Sequence, residues 1–157
     1  MDEETFHAFY EQTARNLRGY LRSMLNDRQV VDDLMQESYF RVLNSKLPDA
    51  MELAHRKNYL YRVATNLVHD HRRSRQLEPL PEGLAAAQSF DTATDVGRAF
   101  GNLKPREREI LWMAYVECFS HSEIAAMLRM GTASIRPALA RARARFADIL
   151  RRRGFGE

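Results

Sequence analysis

Two sets of side chains in this sequence are arranged to act through charge and hydrogen bonding. The first lies on NYLYRVATNLVHDHRRSR, residues 58–75. Arg62, Asn66, His69, Asp70 and Arg73 recur on one side, Tyr59 and Tyr61 open the stretch, and Arg72, Arg73 and Arg75 close it. Guanidinium groups hold phosphates, an asparagine amide can bond a base edge, and aromatic rings stack on unpaired bases, so the combination suits nucleic acid. The alternative is a solvated basic face whose cations favour a helix C-terminus. The second set is Asp32, Asp33, Gln36 and Glu37, with Phe40 close by. Exposed carboxylates beside an exposed aromatic suit protein docking; the alternative is a solvated acidic face with a partly buried Phe. Neither set has a facing acid, nucleophile or metal ligand, so no catalytic residue is expected. His69 and His71 point to different helix faces, and Cys118 with His121 makes too thin a ligand set for zinc. No metal and no cofactor are expected.

The elements that carry these residues read as helices. In the basic stretch Leu60, Val63, Ala64, Leu67 and Val68 recur at three- and four-residue steps. Residues 4–25 form a first helix on Phe6, Phe9, Tyr10, Leu17, Leu21 and Met24, with Arg15, Arg18 and Arg22 on its wet side. Asn26 and Asp27 break it and can cap the next, which runs to about Leu43 on a stripe of Val31, Leu34, Met35, Ser38 and Val42. Residues 44–57 begin as a loop and re-enter helix near Met51. Residues 76–94 hold Pro79, Pro81 and Gly83 among small residues and read as a partly extended linker.

Beyond it, a short helix from Asp95 to Leu103 precedes one that Pro105 can open, with Glu107 and Glu109 at its positive end. Trp112 and Tyr115 are expected in the core or a seam. Ser120 and Glu123 form a capping box for a short helix. After a turn at Met130–Gly131 comes a longer helix on Ile135, Leu139, Ala142, Phe146 and Ile149. It bears Arg136, Arg141, Arg143 and Arg145, with Thr132 and Ser134 at its start. A short helix, a tight turn and an arginine-bearing second helix describe a helix-turn-helix that would enter a DNA major groove. The fold class is therefore all-α: two small helical domains, residues 1–75 and 95–157, joined by a flexible linker at 76–94.

The 157 residues carry a formal net charge of +3, distributed unevenly: +1 over 1–75, −3 over 76–102 and +5 over 103–157. Within the first part, residues 26–52 carry −3 and residues 55–75 carry +5, which suits two different partners for one small bundle. One cysteine excludes an intramolecular disulfide. The acidic N-terminus does not read as a signal peptide, and no apolar run is long enough to span a bilayer. The expectation is a soluble, cytoplasmic protein with no membrane contact of its own.

Three stretches in this order resemble the extracytoplasmic-function group of bacterial sigma factors. VDDLMQESYFRVL, residues 31–43, is similar to that family's polymerase-docking helix. Residues 58–75 are similar to its promoter-melting and minus-ten segment, and residues 103–146 to its minus-thirty-five module. The resemblance implies a non-enzymatic initiation subunit whose partners are core RNA polymerase, promoter DNA and an anti-sigma factor. It places Asp32, Asp33, Gln36 and Glu37 on the polymerase clamp helices. It places Arg62, Asn66, Asp70 and Arg73 on the minus-ten element, with Tyr59 where the family usually has tryptophan. It places Arg141 and Arg143 on the minus-thirty-five element. The loop of residues 44–57 matches one that captures an extruded base, and the linker matches one that threads toward the polymerase active site.

The chain also departs from the family pattern. Cys118 and Arg129 stand where glycine is usual, Gly131 replaces a serine cap, Ala138 an arginine, and Val30 an acidic residue. Pro137 lies inside the reading helix, where proline typically costs ~3 kcal/mol. These departures keep open a sigma-like decoy that binds an anti-sigma factor or polymerase but reads DNA weakly. A dimeric repressor is a further alternative, though it leaves the first module unexplained.

Overall fold

The computed structural model describes residues 1–48, 51–76 and 94–154. The chain builds α1 (Glu3–Met24), α2 (Arg28–Leu43) and α3 (Leu53–Gln76). The second half builds α4 (Asp95–Gly101), α5 (Pro105–Leu111), a π-helical turn (Trp112–Val116), α6 (His121–Leu128) and α7 (Thr132–Arg152). The linker expected at 76–94 falls almost wholly outside the described residues; Gln76 ends α3 and Thr94 caps α4.

Local chemistry sets the helix ends. The Asp2 carboxylate accepts from Thr5 N at 2.7 Å, and Asp27 accepts from Gln29 N at 2.9 Å. Glu107 accepts from Lys104 N at 2.8 Å, and the Ser120–Glu123 capping box closes in both directions. Helix resumes at Leu53, close to the re-entry near Met51 that the sequence suggests. No glycine or proline interrupts residues 53–57, so α3 starts at Leu53 and runs unbroken into the basic stretch. Arg56, 5% exposed, donates to Pro48 O at 3.1 Å and lies over the Phe9 ring, which ties the entry to α3 onto α1.

Two bundles form, and they share one core. α1, α2 and α3 pack together around Leu17, Leu21, Val31, Met35, Leu60 and Ala64. α5, α6 and α7 pack together around Ile110, Met113, Ile124, Met127, Ile135 and Leu139, with α4 against α7. α3 then packs on α6 and α1 on α5. Tyr20 meets Trp112 at 6.1 Å between ring centroids, and Tyr61 meets Phe119 at 5.4 Å. Tyr61 is thus fully buried, where the sequence reading set it beside Tyr59 on the free face. Its position explains this: Tyr61, Ala64, Thr65 and Val68 follow the helical step of the buried side. Trp112 takes the expected seam position, but Tyr115 is 54% exposed because it rides the wider π turn.

Candidate polymerase and nucleic-acid interfaces

The α2 face keeps the chemistry expected of it. Asp32, Asp33 and Gln36 are exposed, Glu37 is half-buried, and Phe40 is 61% exposed. The carboxylates are braced from their own bundle. Arg18 Nη1 donates to Asp32 at 2.7 Å, Gln29 Nε2 to Asp33 at 3.0 Å, and Arg41 Nε to Glu37 at 2.9 Å. Exposed pairs of this kind add little stability, but they orient the acceptors. Arg18, one of the wet-face arginines of α1, therefore serves the acidic face.

The α3 face divides into an open and an engaged part. Arg62 and Asp70 are exposed, Arg73 is paired with Asp70, and Tyr59, Asn66 and Arg75 are half-exposed. His69 and Arg72 turn inward instead. His69 Nε2 lies 2.8 Å from a Glu109 oxygen. Arg72 donates to Met24 O at 2.8 Å and lies 3.9 Å from Glu109. Burial lowers the Arg72 pKa, which the Glu109 charge partly offsets. Glu109, expected at the positive end of α5, is 1% exposed and belongs to this seam.

A cleft of about 440 Å³ lies between α3 and α6, bordered by His55, Asn58, Tyr59, Arg62, Ser122 and Glu123. Asn58 Nδ2 donates to Glu123 at 3.0 Å across it. Backbone and side-chain donors from Ser120, joined by Asn58, hold the Glu123 carboxyl below its usual range. Composition and helical periodicity gave no sign of His55, Asn58 or Glu123 as partners, because their meeting spans the two halves of the chain.

On α7, Thr132, Ser134, Arg136, Arg141 and Arg143 are all exposed. Arg143 Nη1 donates to the Tyr115 hydroxyl at 2.8 Å, and Arg145 pairs with Glu107 at 3.3 Å. Pro137 is exposed, and α7 is continuous from Thr132 to Arg152 around it. Cys118 and Arg129 adopt φ of 58° and 55°, the left-handed shape that glycine takes without penalty. Beside α7, Phe100, Leu111, Trp112 and Phe146 floor an apolar groove of about 540 Å³ whose rim includes exposed Val96 and Val116. No group of three or more metal-ligating side chains occurs among the described residues. None of the described helices is long and apolar enough to cross a membrane.

Comparison with known proteins falls on the same two halves. Residues 9–78 match the family model for sigma-70 region 2, and residues 94–146 match that for sigma-70 region 4. The ECF RNA polymerase sigma factor SigC of Mycobacterium tuberculosis is 25% identical over 146 residues, covering 87% of this chain and 78% of that protein. SigX of Bacillus subtilis is 24% identical over 153 residues, covering 85% and 77%. Two solved structures share the fold. Sigma factor RpoE from Bartonella quintana, in complex with the anti-sigma factor NepR, has TM-score 0.72 at 20% identity, covering 93% of this chain and 96% of that one. CnrH, in complex with the cytosolic domain of CnrY, has TM-score 0.65 at 23% identity, covering 95% and 89%.

The chain belongs to the sigma-70 family. Within it, the chain is an extracytoplasmic-function sigma factor, a transcription-initiation subunit that works with core RNA polymerase at promoters.

Proposed function

We propose a division of labour in which α2 docks the chain on core polymerase, α3 opens and holds the minus-ten strand, and α7 grips the minus-thirty-five duplex. The chain does this in the cytoplasm with no catalysis of its own. The observation that carries this reading is the segregation of charge. Asp33, Gln36 and Phe40 face solvent on α2, while Arg136 and Arg141 face it on α7. Two surfaces of opposite character on one small chain call for two partners of opposite character.

On α3, Arg62 and Asn66 offer a cation and an amide to a single strand, with Tyr59 as a stacking ring. Extruding a base costs a few kcal/mol, which such contacts can offset. Residues 1–75 and 95–157 would then act as the polymerase-and-minus-ten and minus-thirty-five domains. The solved structure of RpoE is a complex with an anti-sigma factor. For this chain the apolar groove beside α7 would accept the apolar face of such a partner's helix.

The test is equilibrium binding to core polymerase. Phe40→Ala is expected to weaken binding about tenfold or more, the loss of an exposed aromatic anchor. Its 61% exposure predicts an unchanged melting temperature. Undiminished binding by Phe40→Ala and Asp33→Ala together would remove α2 from the docking role. A decoy, by contrast, would keep polymerase or anti-sigma binding and show no salt-dependent affinity for duplex DNA.

A further inference from the structure

The groove beside α7 has the make-up of a small-molecule site. Its volume of about 540 Å³ falls inside the span of ligand pockets, roughly 300–1,000 Å³. The Phe100 ring lies 6.3 Å from that of Trp112 and 5.8 Å from that of Phe146, so the floor is one aromatic surface. Of the side chains that line the groove, Arg143 alone is charged and Tyr115 alone carries a hydroxyl. These two converge, Arg143 Nη1 donating to the Tyr115 hydroxyl at 2.8 Å. The phenol oxygen accepts that bond and keeps its own proton to donate, and the guanidinium keeps its remaining N–H groups. Arg145 is paired with Glu107, but among the described residues no carboxylate pairs with Arg143. Tyr115 reaches the rim on the π turn Trp112–Val116, a local widening that recurs at functional sites.

We propose that this groove binds a small amphipathic carboxylate, with its hydrocarbon part on Phe100, Trp112 and Phe146 and its head on Arg143 and Tyr115. The chemistry is complementary at both ends. A hydrocarbon chain laid on the floor leaves water together with apolar surface that otherwise faces it, exposed Val96 and Val116 included. A carboxylate can take two parallel N–H bonds from one guanidinium, and the tyrosine proton adds a third donor. Among the described residues no acid lines the groove to repel an anion, whereas an ammonium head would meet the Arg143 charge. The inference goes beyond the reading of this groove as a seat for a partner's helix. A helix needs only the apolar floor; the carboxylate ligand needs the floor and the arginine together.

Trp112 is the chain's only tryptophan, so its fluorescence reads the groove directly. The test titrates the full chain with decanoate and with decyltrimethylammonium, each kept below the concentration at which it forms micelles. The proposal predicts a saturable change in Trp112 emission with decanoate and binding about tenfold weaker for the cationic probe. Arg143→Gln should weaken decanoate about tenfold and erase the preference between the two heads, and Tyr115→Phe should weaken it a few-fold. Ala147→Phe, which adds a ring at an exposed position lining the groove, should abolish both signals. Circular dichroism checks that each variant folds, and the preference of the parent chain is decisive without any variant. Absence of a saturable signal overturns the site. Equal binding of the two probes, or decanoate binding untouched by Arg143→Gln, overturns the carboxylate ligand and leaves the helix-docking reading of the groove standing.

Discussion

Cys118 and Arg129 each hold a left-handed backbone at a turn where a side chain is a burden. Cys118 follows the π turn and lets Phe119 N reach Met113 O at 2.9 Å; Arg129 ends α6 and lets Met130 N reach Ala125 O at 2.9 Å. Such a conformation costs an L-residue on the order of 1–3 kcal/mol, part of which glycine returns to unfolded-chain entropy. Cys118→Gly and Arg129→Gly should therefore each raise unfolding free energy by about 1 kcal/mol in a denaturant titration. Gly131 poses the reverse case. Its φ of −69° is ordinary, and an added Cβ would meet only Ser134 Oγ at 3.8 Å. Gly131→Ser should cap α7 and add a few tenths of a kcal/mol.

His71 supplies a pH dependence. Burial lowers its pKa, Arg75 and Arg72 repel its charged form, and Asp27 partly offsets them. The unfolded chain then binds this proton more readily than the folded one. That stability contribution is present above the ordinary value near ~6.5 and is lost as pH falls through the depressed folded value. Melting temperature should decline on acidification through that window, and His71→Gln should flatten the decline.

At the scale of the element, α7 carries the clearest liability. Pro137 has no amide to donate to Ala133 O, yet the helix continues around it, supported by Ile135, Leu139 and Ala142 in the core. Pro137→Ala should stabilise the chain by up to about 3 kcal/mol, read from thermal or chemical unfolding. An unchanged or lower stability would mean that proline shapes the helix start. The helices themselves were legible because their apolar steps, Asp27, Pro105 and the Ser120–Glu123 box all act locally. The π turn was not, since Trp112–Val116 has no residue pattern distinguishing it from an α-helix. That turn places Tyr115 outside and Glu117 inside. The acidic and basic faces were also legible as patterns of charge. His69 and Arg72 belong to both the α3 face and the seam, and only the fold shows the second role.

For the whole molecule, the two halves pack as one body while the acidic face of α2 and the arginine face of α7 remain exposed. The buried tyrosine hydroxyls near the junction are paired. Tyr20 hydroxyl meets Thr65 Oγ1 at 2.8 Å, and burial pushes its pKa up. Thr13 meets Tyr39 at 2.6 Å within the first bundle, with the Tyr39 phenol pushed up to about 12. On α7, Arg141→Ala should weaken duplex binding uniformly across sequences if it holds a phosphate. The slope of affinity against salt concentration should then fall by about one unit. An unaltered slope would place Arg141 off the backbone.

The central claim, an initiation subunit that selects promoters through these surfaces, is tested most directly by run-off transcription with core polymerase on fragments of the source genome. The account predicts discrete transcripts that appear only when this chain is added and vanish with Arg62→Ala/Asn66→Ala. Failure to start any transcript, while a known sigma factor succeeds with the same core enzyme and its own template, would contradict it.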